Sequence, residues 1–297
     1  MKRDKTWVSV AMILTAASGW GLIGLFSRPL AAAGLTSLQM TFVRSVVVFA
    51  GMGALLLVKD RSLFRVDARD LWIFLGTGLV SIVFFNVCYF TTIQMTTLAA
   101  ASILLYTAPC FVMLMSAVFF KERVTAQKLA ALALAFGGCA LVSGIGSGGI
   151  TPLGLLTGVG SGLGYATYSI FGKVALKKYH TFTVIFYTFA VSTVCLAPFV
   201  HMETAAAVVA GSGKTALLAL GLGLVSTFMP YVCYTGGLEH VEAGKASVLA
   251  FAEPMVAALA GIVVFHERIN AMNAAGIGLI FAAIVLLNVP LGRKAPR

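Results

Sequence analysis

Two apolar stretches of the chain are closely related: residues 75–90 read LGTGLVSIVFFNVCYF, and residues 220–235 read LGLGLVSTFMPYVCYT. A shift of 145 residues superposes them without a gap, with 9 identities over the 20 residues that begin at Leu75. The same shift pairs FKER at 120–123 with FHER at 265–268. A constant register across separated segments predicts an internal repeat, which decides how the whole fold is organised.

The amino-acid composition predicts that this chain is embedded in a lipid membrane. Hydrophobic residues make up 60% of the 297 residues, charged residues make up 10%, and the mean hydropathy is +0.98. A soluble domain carries about 25% charged residues, so this chain has too few polar groups to cover a water-exposed surface. The net charge of +11 is spread in short runs between apolar segments and does not indicate nucleic-acid binding.

Apolar segments long enough to span about 30 Å of hydrocarbon occur ten times. The predicted spans are 7–33, 37–58, 70–93, 97–119, 125–144, 152–176, 181–200, 214–237, 243–265 and 271–290. We therefore predict an all-α integral membrane protein with five helices in each repeat, the first unit over 1–145 and the second over 146–297.

Charge predicts the orientation of these spans. With the N-terminus inside, 17 of the 21 Lys and Arg fall in or beside inside loops, which places both termini in the cytoplasm of a multi-pass protein of the inner or plasma membrane. Because five is an odd number, the second unit enters from the opposite side, so the repeats are inverted. Inverted repeats are typical of secondary transporters that alternate access to a site near mid-membrane.

Several short motifs resemble a known family. The stretches SGWG at 18–21, FVR at 42–44 and YTAP at 106–109 look like the opening helices and the fourth helix of EamA-type drug/metabolite transporters, and Glu253-Pro254 resembles the ninth. The likeness covers nearly the whole chain. It implies ten helices and a cavity lined mainly by helices 1, 3, 4, 6, 8 and 9. It also implies export of amino acids or other small metabolites.

Ionisable groups inside a membrane are candidate functional residues, since each costs about 2.5–3.5 kcal/mol at a helix centre on insertion scales. Glu253 lies near the middle of the ninth span, where it is able to bind a substrate ammonium, take up a proton as coupling ion, or bond a neighbouring helix. Arg44 lies on the outer side of the second span, as a carboxylate ligand or as an anchor of the fold. The alternatives stay open for both residues.

Aromatic and hydroxyl side chains complete the predicted substrate cavity. Several are repeat mates or lie three apart on one helical face, and such walls suit amphipathic organic molecules. The candidates are Trp20, Asn86, Tyr89, Ser102, Tyr106, Tyr165, Tyr168, Tyr231, Tyr234, Ser247 and Phe251. Helix bending is assigned to Gly19, Gly21, Pro109, Gly164 and Pro254, with close helix packing as the simpler role of the glycines.

The sequence indicates no metal site, no cofactor and no catalytic constellation. The expected partners are a small-molecule substrate and membrane lipid, without nucleic acid, and protons are a candidate coupling ion. The oligomeric state stays open. A channel-like facilitator or passive uniporter is the alternative to a secondary transporter, and a membrane enzyme is a third hypothesis.

Overall fold

The computed structural model describes residues 2–143, 151–266 and 270–289, and the long elements of these ranges are all helices. The prediction of an all-helical membrane protein is confirmed. We label the long helices α1 to α10 in chain order: Lys5–Ala32, Ser37–Lys59, Ala68–Met95, Ala100–Phe120, Ala126–Ser143, Pro152–Ala175, Thr181–Phe199, Gly213–Leu238, Ala243–Phe265 and Ala271–Asn288. The predicted boundary between the units, at 145 and 146, lies outside the described residues.

Nine of the described helices are both long enough and apolar enough to cross a membrane, and α6 is the exception. Its 24 residues extend about 36 Å at 1.5 Å per residue, which is ample length. Its composition is less apolar because it is rich in Gly, Ser, Thr and Tyr. Helix α6 packs against α3, α4 and α8, so many of its side chains face protein where a lipid-facing helix needs apolar groups.

Irregular backbone recurs at the same offset as the sequence repeat. Helix α3 contains a π-helical stretch at Gly76–Phe84, and α8 contains one at Leu224–Phe228. Helices α4 and α9 each end on a residue in the left-handed region, with φ of 55° at Lys121 and 54° at His266. Equivalent sequence has therefore produced equivalent local structure in both repeats.

The two repeats interdigitate. The most extensive contacts join α5 to α10, α1 to α8, α3 to α6 and α2 to α7, each pair taking one helix from each repeat. In the α5–α10 pair the backbones meet directly, since a Cβ on Gly138 would lie 2.7 Å from the carbonyl oxygen of Gly276. Such close approach is the usual way in which helices pack in lipid, where dispersion contacts replace the hydrophobic effect.

A short helix, Met202–Ala210, lies in a segment predicted as a loop. Its Ala205 is buried with Leu30, Leu35 and Leu222, so it covers the turn between α1 and α2. The side-chain amide of Gln39 donates to Thr204 Oγ1 at 2.8 Å and holds it there. The hydropathy pattern missed this helix because it is too short to resemble a span.

Candidate functional site

A cavity of about 490 Å³ lies between helices of both repeats. This volume falls in the range of about 300–1,000 Å³ that small-molecule sites occupy. Helices α1, α2, α3, α4, α6, α8 and α9 supply its walls. The residues that line it and carry polar or aromatic groups are Trp20, Ser27, Arg28, Ser37, Thr41, Arg44, Phe85, Asn86, Tyr89, Phe90, Ser102, Tyr106, Tyr165, Tyr231, Glu253 and Phe265.

The cavity extends from the middle of the helices to one end of the bundle. Trp20 lies in the middle of α1, whereas Arg28 is near the end of α1, Ser37 is the first residue of α2, and Phe265 is the last of α9. We call the end with the α1–α2 turn the far face. The near face is the opposite end, where α1 begins and α4 ends.

Aromatic rings form the deep wall of the cavity. The ring centroid of Trp20 lies 5.5 Å from that of Tyr231, 5.2 Å from Tyr234 and 6.5 Å from Tyr165. These separations are typical of edge-to-face and tilted aromatic pairs, which hold one another in fixed orientations. The wall therefore offers a rigid apolar surface to a bound molecule.

Two ionisable side chains of opposite sign, Arg44 and Glu253, line the same cavity and keep partial exposure. The hydroxyl of Tyr165 lies 3.5 Å from Glu253 Oε2, the limit of a hydrogen bond. Among the described residues, Arg44 has no hydrogen bond and no carboxylate within 4.0 Å. Both charges are therefore available to groups that enter the cavity.

Other polar groups of the wall are already engaged. The amide of Asn86 donates through Nδ2 to the carbonyl of Ile82 at 2.7 Å and accepts from Thr41 Oγ1 at 3.3 Å. The hydroxyls of Tyr89 and Ser102 share a hydrogen bond of 3.2 Å. Each of these groups must give up a hydrogen bond within the protein before it can form one with a ligand.

Helix breaks surround the cavity. The α-helical hydrogen-bond pattern of α1 is interrupted at Leu22, directly after Gly21. It is interrupted in α4 at 106–107, before Pro109, and in α9 at 250–251, before Pro254. A Cβ on Gly21 would lie 2.6 Å from the carbonyl oxygen of Glu253, so the glycine lets α1 touch α9 beside the break.

Gly19 and Gly164 lie in continuous helix where α1 and α6 approach their neighbours closely. Bending of the helices during a transport cycle therefore stays a prediction for all five of the assigned residues.

A cluster of charge-assisted contacts joins the two repeats at the near face, and we call Glu122, Lys173, Val241, Ala243 and Gly244 the near-face latch. The Glu122 carboxylate accepts from Lys173 Nζ at 2.9 Å and from the backbone amides of Ala243 and Gly244 at 2.9 and 3.1 Å. Lys173 also donates to the Val241 carbonyl at 3.0 Å. The latch joins the end of α4 to the end of α6 and the start of α9, and so connects the two repeats.

The pKa of the Glu122 carboxyl reports two opposing effects. Burial acts to raise the pKa, but the hydrogen bonds from Lys173 and from the two backbone amides outweigh it, and the pKa lies below the ordinary value of 4.5. Glu122 is therefore ionised at neutral pH, as the latch requires.

A second, exposed cluster joins the repeats on the same face. Lys178, beyond the end of α6, pairs with Asp67 and with Asp70, the latter at 2.7 Å. The Tyr179 hydroxyl also donates to the Asp70 carboxylate. These contacts join the α2–α3 connection to the α6–α7 connection, and we call Asp67, Asp70 and Lys178 the exposed staple.

The structure brings most of the predicted site residues together. Trp20, Arg44, Asn86, Tyr89, Ser102, Tyr106, Tyr165, Tyr231 and Glu253 line the cavity, as does Gly21. Four others lie behind the wall. Tyr168 bonds Thr235, Tyr234 bonds Ser169, Ser247 donates to the Gly244 carbonyl, and Phe251 packs against the ring of Tyr106.

Helix α2 is a cavity wall that the helix set implied by the family resemblance did not include. It contributes Ser37, Met40, Thr41 and Arg44. Thr41 and Arg44 are three apart on one helical face, so the polar stripe of α2 was a usable signal. Arg28, near the far-face end of α1, also lines the cavity.

Comparison with known proteins gives a consistent result. The model of the EamA-like transporter family matches residues 7–144 and 152–289, one match for each repeat. The family resemblance of the sequence motifs is confirmed.

Curated relatives cover nearly the whole chain. An uncharacterized transporter of Archaeoglobus fulgidus is 32% identical over 282 residues, which is 93% of this chain and 94% of the relative. The pseudopaline exporter CntI of Pseudomonas aeruginosa is 26% identical, over 87% of this chain and 88% of the exporter. One solved crystal structure superposes with a TM-score of 0.77 at 19% identity, over 94% of this chain and 96% of that one, and supports the fold alone.

Proposed function

The chain belongs to the EamA-like transporter family, and on this premise we propose that it is a secondary transporter of a small organic metabolite. The proposed cargo is an amino acid or a related amphipathic solute, and the proposed direction is export. The observation that carries the proposal is a cavity, walled by both repeats, that extends to the far face while a latch joins the repeats at the near face.

The proposed topology has ten spans in two inverted units, 1–145 and 146–297, which together form one transport unit. Both termini lie in the cytoplasm, so the near face is cytoplasmic. Supporting this orientation, the near-face connections hold most of the Lys and Arg of the chain. Length supports α6 as the tenth span, since its 24 residues exceed the roughly 20 that a spanning helix needs.

The proposed mechanism is alternating access. With the near face latched, a solute reaches the aromatic wall from the far face; when the latch opens and the far face closes, it reaches the cytoplasm. For export the cycle runs in the opposite sense. Interdigitated helix pairs support concerted movement, because a shift of one repeat displaces partners in the other.

Counterflow in proteoliposomes tests the proposal. Vesicles holding the purified full chain and loaded with one unlabelled amino acid should accumulate the same labelled solute transiently, in a saturable manner. A channel-like facilitator gives flux without accumulation, so solute conductance without counterflow would favour that alternative. Absence of both across a panel of amino acids and nucleosides would contradict transport of these solutes.

A further inference from the structure

The two cavity charges come from different repeats and are not paired with each other. Arg44 extends from α2 in the first repeat, and Glu253 extends from α9 in the second. Among the described residues, no carboxylate lies within 4.0 Å of a nitrogen of the Arg44 guanidinium. The Glu253 carboxylate accepts one hydrogen bond among the described residues, from the Tyr165 hydroxyl at 3.5 Å.

Unpaired charges at this depth are costly. A charge removed from bulk water is stabilised only when opposite charge and hydrogen bonds replace its hydration. The described neighbours do not provide them for Arg44. The geometry keeps them apart across a cavity that is large enough for an organic molecule.

We propose that the cavity binds a zwitterion, with its carboxylate on the guanidinium of Arg44 and its ammonium on the carboxylate of Glu253. This inference rests on the proposed transport function and adds which residues bind the two charged ends of the cargo. A guanidinium fork matches the two oxygens of a carboxylate, whereas Glu253 and the Tyr165 hydroxyl provide acceptors for an ammonium.

The remaining wall fits the rest of such a molecule. The rings of Trp20, Tyr106 and Tyr231 line the same cavity as the two charges and present apolar surface. An apolar or aromatic side chain on the zwitterion packs against these rings. The bound molecule then bridges the Arg44 guanidinium of the first repeat and the Glu253 carboxylate of the second.

The experiment uses the purified full chain in detergent and measures ligand affinity by thermal stabilisation. The proteinogenic amino acids are screened first. The tightest binder is then compared with its amide, which lacks the anionic carboxylate, and with its deaminated acid, which lacks the ammonium. We expect both analogues to bind the unaltered protein about 30-fold more weakly or worse, because each leaves one buried charge unpaired.

Two variants should change the preference among these three ligands in opposite ways. Arg44→Gln should bind the amide at least as well as the parent amino acid, and Glu253→Gln should bind the deaminated acid at least as well. Arg61→Gln is the matched comparison, since it removes an exposed guanidinium on the connection between α2 and α3, outside the cavity, and should weaken the amino acid by no more than about 3-fold because water screens it. Arg44→Met and Glu253→Met, which remove the same charges, replace the glutamine variants if those do not fold.

Three results would overturn the inference: an analogue that binds within about 3-fold of its parent, variants that weaken all three ligands equally, or no binding by any amino acid. Counterflow of an uncharged or singly charged solute by the same protein would show that the transport proposal stands while the zwitterion proposal fails.

Discussion

The near face and the far face are built from equivalent residues and differ in what those residues do. Lys173 and Arg28 are repeat mates, and so are Phe120 and Phe265. Lys173 Nζ lies 5.7 Å from the ring centroid of Phe120, and Arg28 Cζ lies 4.4 Å from that of Phe265. Yet Lys173 is part of a latch, whereas Arg28 and Phe265 line the cavity.

The comparison indicates that the backbone geometry at the helix ends does not determine which face of the bundle is closed. The left-handed residues at the ends of α4 and α9 differ by 1° in φ, so the two helix ends have the same local geometry. At the near face, α9 approaches closely enough for its first amides to reach the Glu122 carboxylate. Closure therefore depends on helix positions, which a transporter is able to change.

The largest expected effect follows from removing the latch carboxylate. Glu122→Gln weakens three charge-assisted hydrogen bonds, each of which contributes about 1.5–3 kcal/mol. Ser116 is buried next to the latch, so a Ser116→Cys probe should react slowly while the near face is closed. In a background without the native cysteines, we expect Glu122→Gln to raise the labelling rate by an impermeant maleimide about 10-fold or more.

The matched control is Glu203→Gln, which removes a carboxylate from the short helix Met202–Ala210, away from the latch. It should leave labelling of the Ser116→Cys probe unchanged. Equal labelling with and without the Glu122 carboxylate would show that the latch does not close this face.

The second prediction separates the two carboxylates by pH. A lowered pKa means that the latch is fully formed above the ordinary value of 4.5 and is lost only as pH falls through the lower value. From about pH 5 to 8, Glu122→Gln should therefore change the transport rate without changing the shape of its pH profile. If Glu253 carries the coupling proton, Glu253→Gln should flatten that profile.

Proteoliposome counterflow at a series of pH values provides the measurement, with Glu253→Asp as the variant that keeps an ionisable group. A profile that is identical in Glu253→Gln and the unaltered protein would remove the coupling role of Glu253.

A smaller effect is expected from exchanging the repeat mates. Lys173→Arg places a guanidinium fork beside Glu122, and should stabilise the closed near face enough to slow Ser116→Cys labelling about 3-fold. Arg28→Lys makes the reciprocal change at the far face and should leave that labelling rate unaltered. Faster labelling in Lys173→Arg would show that the latch is set by the shape of lysine and not by its charge.

The smallest effect is expected at the exposed staple. Lys178→Met removes the pairs with Asp67 and Asp70, but exposed ion pairs contribute little because water and salt screen them. The melting temperature in detergent should fall by no more than about 2 °C. A fall several times larger would show that this exposed cluster, and not the latch, holds the repeats together at the near face.

Hydropathy and repeat register predicted much of the fold because the cost of moving polar groups into lipid acts on each helix separately. Nine described spans agree with the predicted segments, and the breaks before Pro109 and Pro254 fall where the motifs placed the prolines. The sixth helix also formed, although its composition alone is less apolar. The short helix Met202–Ala210 carried no such signal.

The sequence by itself determined the solvent, the spans and the 145-residue repeat. Only the tertiary structure decided which side chains face the cavity. Tyr231 and Tyr234 are three apart on one helix, yet Tyr231 lines the cavity while Tyr234 bonds Ser169 behind it. Three residues turn a helix by about 300°, so neighbours on one face differ by about 60°, and packing against other helices decides between them.

The same reason applies to the charges. From the sequence, Arg44 is either an anchor of the fold or a ligand for the substrate, because the sequence does not show which residues of other helices lie beside it. The packed bundle places Arg44 in the cavity opposite Glu253, and it places Glu122 against the start of α9. Transfer into lipid fixes which residues are helical and membrane-embedded. Contacts between the repeats set the rotation and depth of each helix, and these fix what each side chain touches.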